Sequence, residues 1–160
     1  MTARKSVAPA AATIHTMNAP TDTPNAAPAE PPTEAPAATP FERLGGDAGV
    51  RALVDRFYDL MDLEPQYAAL RAIHPTSLEG SRDKLYWFLS GWLGGPDMYQ
   101  QRFGHPRLRM RHFPYAIGEA ERDAWLACMR QAMLELQVDQ TLRERLQHAF
   151  DGTADWMRNR

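Results

Sequence analysis

Two histidines seven residues apart, His105 and His112, mark the stretch GHPRLRMRHFPYAI, Gly104 to Ile117. Arg107, Arg109 and Arg111 lie between them, and a proline stands close to each histidine. Paired imidazoles can hold a metal ion, and arginines can grip phosphates. An imidazole between apolar neighbours and beside a cation can form one end of a cofactor pocket. Each chemistry needs different companions elsewhere in the chain.

Those companions must be positioned by a folded part of the chain. Residues 1–40 carry eight of the thirteen prolines, twelve alanines and no aromatic residue. Such a composition cannot bury enough apolar surface to offset the entropy of ordering. The expectation is a disordered Pro/Ala-rich tail over 1–40 and one domain over 41–160. The tail opens MTARK but lacks a continuous apolar run, so it does not read as an export signal. No apolar run reaches membrane-spanning length, and the single cysteine, Cys128, excludes an internal disulfide. These features predict a soluble, cytoplasmic domain with no membrane partner.

Within the domain the apolar spacing is helical. Val50, Leu53, Val54, Phe57, Tyr58 and Met61 form one stripe, closed by Pro65. Leu78, Leu85, Phe88, Leu89 and Trp92 form a second, ended by Gly94-Gly95-Pro96. Trp125, Cys128, Met129, Ala132, Met133 and Leu136 make a third. Leu142, Leu146, Ala149, Phe150, Thr153 and Met157 make a fourth. QYAALRAIHP adds at most two turns before Pro75. No segment alternates with period two, so the fold class is all-α: four main helices with irregular connections. The link over 94–118 is long for a compact domain, and it holds both histidines.

The companions now weigh the chemistries. A zinc site needs three or four ligands, yet His74 and His148 stand alone. Cys128 falls in an apolar stripe, where a buried inert thiol is expected. Nucleic-acid binding needs a basic surplus, whereas residues 41–160 carry 16 Lys+Arg against 17 Asp+Glu. Two readings of His112 stay open. It is a packed core histidine, or it serves a haem pocket, which needs one imidazole, an apolar slot and cations for the propionates. His112 lies between Met110 and Phe113 and next to Arg111, while Tyr58 and Trp125 carry polar handles on apolar stripes.

GHPRLRMRHFPYAIG followed by ERDAWLACM resembles the signature of the group II truncated globins. RFYDLM, LYWFLSGWLGGP and an early LGG agree with that family's pattern in the same order. The resemblance covers residues 41–157 and implies a truncated globin, a two-over-two helical sandwich around one haem b. It implies His112 as the proximal ligand of a five-coordinate iron, with Tyr58 and Trp125 as distal hydrogen-bond donors. His105 then shapes the turn into the proximal segment. Ser81 takes the distal gate position. Leu85, Phe88, Leu89 and Met110 contact the haem, and Arg111 and Lys84 face its propionates. His74 departs from the family pattern, which often has tyrosine or phenylalanine there. Donation to the ligand, packing against the haem and sixth-ligand coordination all stay open for it.

The implied function is binding of O2, and of CO or NO, with oxygen transport as the direct role. Peroxidase-like or nitric-oxide-oxidising activity served by an external reductase is the enzymatic alternative, with peroxide as a further ligand. A redox or oxygen sensor is a third class, and a purely structural protein without haem a fourth. No residue is assigned a catalytic role.

Overall fold

The computed structural model describes residues 35–160, and most of the expected Pro/Ala-rich tail, residues 1–34, lies outside the described residues. The first helix among the described residues is α1 (Pro40–Arg43). Thr39 caps it reciprocally: its hydroxyl accepts from the Glu42 N–H at 3.2 Å, and the Glu42 carboxylate accepts from the Thr39 N–H at 2.9 Å. Pro40 occupies the first turn, where its missing donor costs nothing.

The remaining helices are α2 (Gly46–Leu63), α3 (Ala68–Ala72), α4 (Glu79–Trp92), α5 (Met98–Phe103), α6 (Leu108–His112), α7 (Glu119–Glu135) and α8 (Gln140–Trp156). A 3₁₀ turn, Pro65–Tyr67, joins α2 to α3. α2 packs on α4 and on α7, and α7 packs on α8, so two helix pairs stack in a two-over-two arrangement. Leu53, Phe57, Leu89, Met129, Met133 and Leu142 are fully enclosed where they meet. Each such side chain contributes about 1.5–3 kcal/mol of apolar burial.

Gly95 explains how α1 docks. A Cβ there would stand 2.5 Å from the Phe41 ring, while the Phe41 N–H donates to the Leu93 carbonyl at 2.9 Å. The glycines that end α4 therefore also make room for the first helix.

The four main helices match the four apolar stripes, with two differences at their ends. Leu136 is exposed, because α7 stops at Glu135 and leaves this stripe position beyond its last turn. Trp92, in the last turn of α4, is 37% exposed. The link over 94–118 is less irregular than expected, since it contains α5 and α6. Helices of one or two turns are too short to show a period and draw their stability from tertiary contacts.

Three polar clamps fix the parts that surround the site. Arg82 on α4 donates to the Asp55 carbonyl at 2.9 Å and to the Asp59 carboxylate at 2.6 Å, and its guanidinium lies 5.7 Å from the Tyr58 ring centroid. Arg71 bonds Asp62 and the carbonyls of Pro75 and Thr76, which holds the loop after α3. Asn159, near the end of the chain, donates to the carbonyls of His112 and Tyr115 and accepts from the Ile117 N–H.

Candidate functional site

A cavity of about 460 Å³ opens among α3, α4, α6, α7 and α8. Its walls are mostly apolar: Leu70, Ile73, Leu85, Phe88, Leu89 and Ile117 belong to them. That size and lining fit cofactor sites, which are concave, apolar and carry a few placed polar groups.

His112 reaches this cavity from α6, and the register of that short helix is set at its start. Arg107, the residue before α6, sits in the left-handed region at φ 45°, and its N–H donates to His105 Nδ1 at 3.1 Å. Residues then advance about 100° each. Leu108 and His112, four apart, share one face and both line the cavity. His112 Nδ1 lies 2.7 Å from the Leu108 carbonyl oxygen. A carbonyl only accepts, so Nδ1 carries a proton, and in the neutral ring Nε2 then holds the lone pair.

Met110 does not share that face. Two residues from His112, it is turned by about 200°, is 59% exposed, and is absent from the cavity wall. The expectation that Met110 contacts the cofactor is therefore not met, because flanking a histidine in sequence does not place a side chain beside it on a helix.

Tyr58 on α2 also lines this cavity and is buried. Burial raises its pKa, so it stays a neutral hydroxyl; the positive charge of Arg82 and the Ser81 hydroxyl oppose that shift in part. Trp125 on α7 lines the same region, packed at 5.2 Å against Phe57 and 5.5 Å against Phe150. Its indole N–H makes no hydrogen bond to protein among the described residues, which leaves a donor for a guest in the cavity.

His74 follows α3 and also borders the cavity. Its Nδ1 lies 2.9 Å from the Leu70 carbonyl, and its ring meets the Tyr58 ring edge-on at 6.0 Å. Burial lowers its pKa, and the nearby Arg71 charge works in the same direction, against the bond to Leu70. The neutral ring therefore donates at Nδ1 and offers a lone pair at Nε2.

Ser81, Leu85, Phe88 and Trp92 repeat at helical spacing and present one stripe of α4 to the cavity. This second face explains why Leu85 and Phe88 are only half-buried while Leu89 is enclosed. Lys84 and Arg111 stand at the edge, both exposed, and neither forms an ion pair among the described residues. His105 is exposed and lies outside this cavity.

All the site residues expected from sequence except Met110 border this one space. Sequence reasoning missed Trp92, Tyr99, Leu108, Tyr115 and Phe150, which also line it. Leu108 was legible from its four-residue spacing to His112. Tyr99 and Tyr115 sit in the link, where no period marks which way they turn.

The donor set decides what the cavity suits. No three metal-ligating side chains converge among the described residues. Two imidazoles, His112 and His74, are too few to complete a metal site alone but suit an ion that brings most of its ligands in a macrocycle. Apolar walls suit the macrocycle's faces, and two unpaired cations at the edge suit anionic substituents. The residues fit haem.

Comparison with known proteins agrees. The family described as bacterial-like globin matches residues 39–159. The chain is 38% identical over 114 residues to the group 2 truncated hemoglobin YjbI of Bacillus subtilis, covering 71% of this chain and 84% of that protein. Among solved structures it is similar to the group II 2-on-2 hemoglobin of Agrobacterium tumefaciens, at 49% identity and TM-score 0.76, with 79% of this chain and 98% of that one covered. The cold-adapted truncated hemoglobin of Pseudoalteromonas haloplanktis matches at 41% identity and TM-score 0.75, covering 77% and 99%.

Proposed function

The chain belongs to the bacterial-like globin family, as a group II truncated globin, and we propose that it holds haem b in this cavity and reversibly binds dioxygen there. Family membership brings haem and the binding of small gaseous ligands such as O2. The observation that carries the rest is His112, which lines an apolar cavity with its Nδ1 committed to Leu108.

Haem b would supply an iron able to bind one imidazole and a small ligand such as O2, CO or NO. His112 is the residue that would hold it; the Leu108 carbonyl orients its ring, and Asn159 holds its backbone carbonyl. Arg111 and Lys84 receive the propionates. Tyr58 and Trp125 donate hydrogen bonds to a ligand that gains negative charge, each such bond adding about 1.5–3 kcal/mol. Burial keeps the Tyr58 hydroxyl protonated for that purpose. Ser81, small and at the start of α4, leaves the way in open. No helix among the described residues is long and apolar enough to cross a membrane, and a cytoplasmic place suits the proposed role.

A second reading, reaction with peroxide, is favoured by one observation. His74 offers an acceptor at Nε2, and an acceptor beside a protonated ligand can take its proton. Such turnover, like oxidation of nitric oxide, draws electrons from an external reductase.

The test is a visible spectrum of the purified protein with hemin, ferric, then dithionite-reduced, then under carbon monoxide. A Soret band with a five-coordinate ferrous form that binds carbon monoxide is expected. No Soret band after hemin is added overturns the reading and returns His112 to the core.

A further inference from the structure

We propose that the outer face of α6 and the adjoining end of α8 form the docking surface for an acidic one-electron donor protein. The inference rests on the haem reading above, since an oxygen-binding iron that oxidises must be returned to the ferrous state.

The face is unusual in both charge and exposure. Arg109 and Phe113 lie beside the face of α6 that carries His112, with Met110 beyond them, and together with Pro114 they line a shallow depression. Met110 is 59% exposed, Phe113 66% and Trp156 62%. Arg109 joins the two elements: it donates to the Trp156 carbonyl at 2.8 Å, and its guanidinium lies 4.9 Å from the Trp156 ring centroid. None of these five residues lines the haem cavity, so a bound cofactor would leave them on the surface. Exposed Met, Phe and Trp gathered around an arginine are typical of interface centres.

Charge selects the partner. Residues 98–118 contain four arginines and no aspartate or glutamate. With Arg111 given to the propionates, Arg102, Arg107 and Arg109 form no ion pair among the described residues, whereas seven other arginines do. A second copy of this chain would set Arg109 against Arg109 across a two-fold axis, and like charges disfavour that contact. A membrane surface is usually met by a long amphipathic helix, and α6 has five residues. An acidic protein satisfies both the arginines and the apolar centre.

Position selects the task. The docking face adjoins His112 on one short helix, and a helix with its side chains is about 10–12 Å across. A redox centre seated there needs to pass its electron past that single helix. The partner loses one electron and ferric iron becomes ferrous; no bond or proton moves between the proteins.

The test follows reduction of the ferric holoprotein by a reduced plant-type ferredoxin, an acidic iron–sulfur protein, with carbon monoxide trapping the ferrous product. Near 0.01 M salt the screening length is ~30 Å, against ~8 Å near 0.15 M. The rate is expected to fall roughly tenfold or more between these conditions. Arg109→Glu and Phe113→Ser should each slow reduction several-fold at low salt, while dithionite reduction and the carbon monoxide spectrum stay as in the wild type. Equal ferredoxin rates in wild type and both variants overturn the proposal with the haem reading intact. So does loss, in the variants, of binding to phosphatidylglycerol vesicles without a ferredoxin effect, which would make the face a membrane contact. Absence of any Soret band defeats the haem reading itself.

Discussion

His112 Nδ1 lies 2.7 Å from the carbonyl oxygen of Leu108, one turn earlier on the same helix, and this single bond decides which nitrogen the cavity sees. His105, although in the same motif, is exposed and spends Nδ1 on the Arg107 N–H. Replacing His112 with alanine should abolish normal haem retention, while His105→Ala should leave the Soret band unchanged. Hemin titration followed by gel filtration measures both, and the reverse outcome would exchange the two assignments.

Trp125 presents an indole N–H with no protein acceptor among the described residues, at the wall of the cavity. Trp125→Phe keeps an aromatic ring between Phe57 and Phe150 and removes the donor. Loss of about 1.5–3 kcal/mol corresponds to oxygen release faster by roughly tenfold to a hundredfold. Stopped-flow displacement of oxygen by carbon monoxide reads this directly. An unchanged rate would remove Trp125 from the distal set.

His74 illustrates how much of the site the sequence carried and where it stopped. The helices were legible because long stripes such as Val50 to Met61 have a period, and that period also brought Tyr58 and Trp125 inward. The motif in the link picked out His112. Position within the link was not legible: α5 and α6 are too short for a period, so Met110 was placed beside the cofactor when the helix turns it outward. The sequence leaves the role of His74 open among three options, because its tautomer depends on a backbone carbonyl four residues earlier that no residue type reveals.

That tautomer gives a prediction. With Nδ1 donating to Leu70, neutral His74 can accept at Nε2 but cannot donate there. His74→Phe should therefore change oxygen release by less than about twofold, yet slow the reaction of the ferric protein with peroxide by at least about tenfold. Oxygen release accelerated as strongly as in Trp125→Phe would make His74 a donor instead.

The same residue shapes stability against pH. Burial holds the folded-state pKa of His74 below its ordinary value of 6.5. As pH falls through about 6.5, the unfolded chain takes up a proton that the folded chain refuses, so stability declines until the lower folded value is reached. Above that window the term is absent. Urea unfolding of the holoprotein at pH 7.5 and 5.5 should show a smaller loss in His74→Phe than in the wild type. Equal losses would show that the imidazole is protonated as easily inside as outside.

Cys128 lies fully enclosed beneath α2, its thiol directed at the Phe57 carbonyl oxygen at 3.3 Å. Burial pushes its pKa up to about 12. At pH 8 only roughly one thiol in ten thousand would then be thiolate, the form that reacts, and contact with solvent requires α2 and α7 to part. An aromatic disulfide reagent should accordingly leave the native holoprotein unmodified over hours and label it as urea unfolds it, with the labelling midpoint coinciding with loss of helical signal. Labelling of the native protein within minutes would mean that α7 opens locally far more often than so well-filled an interface allows.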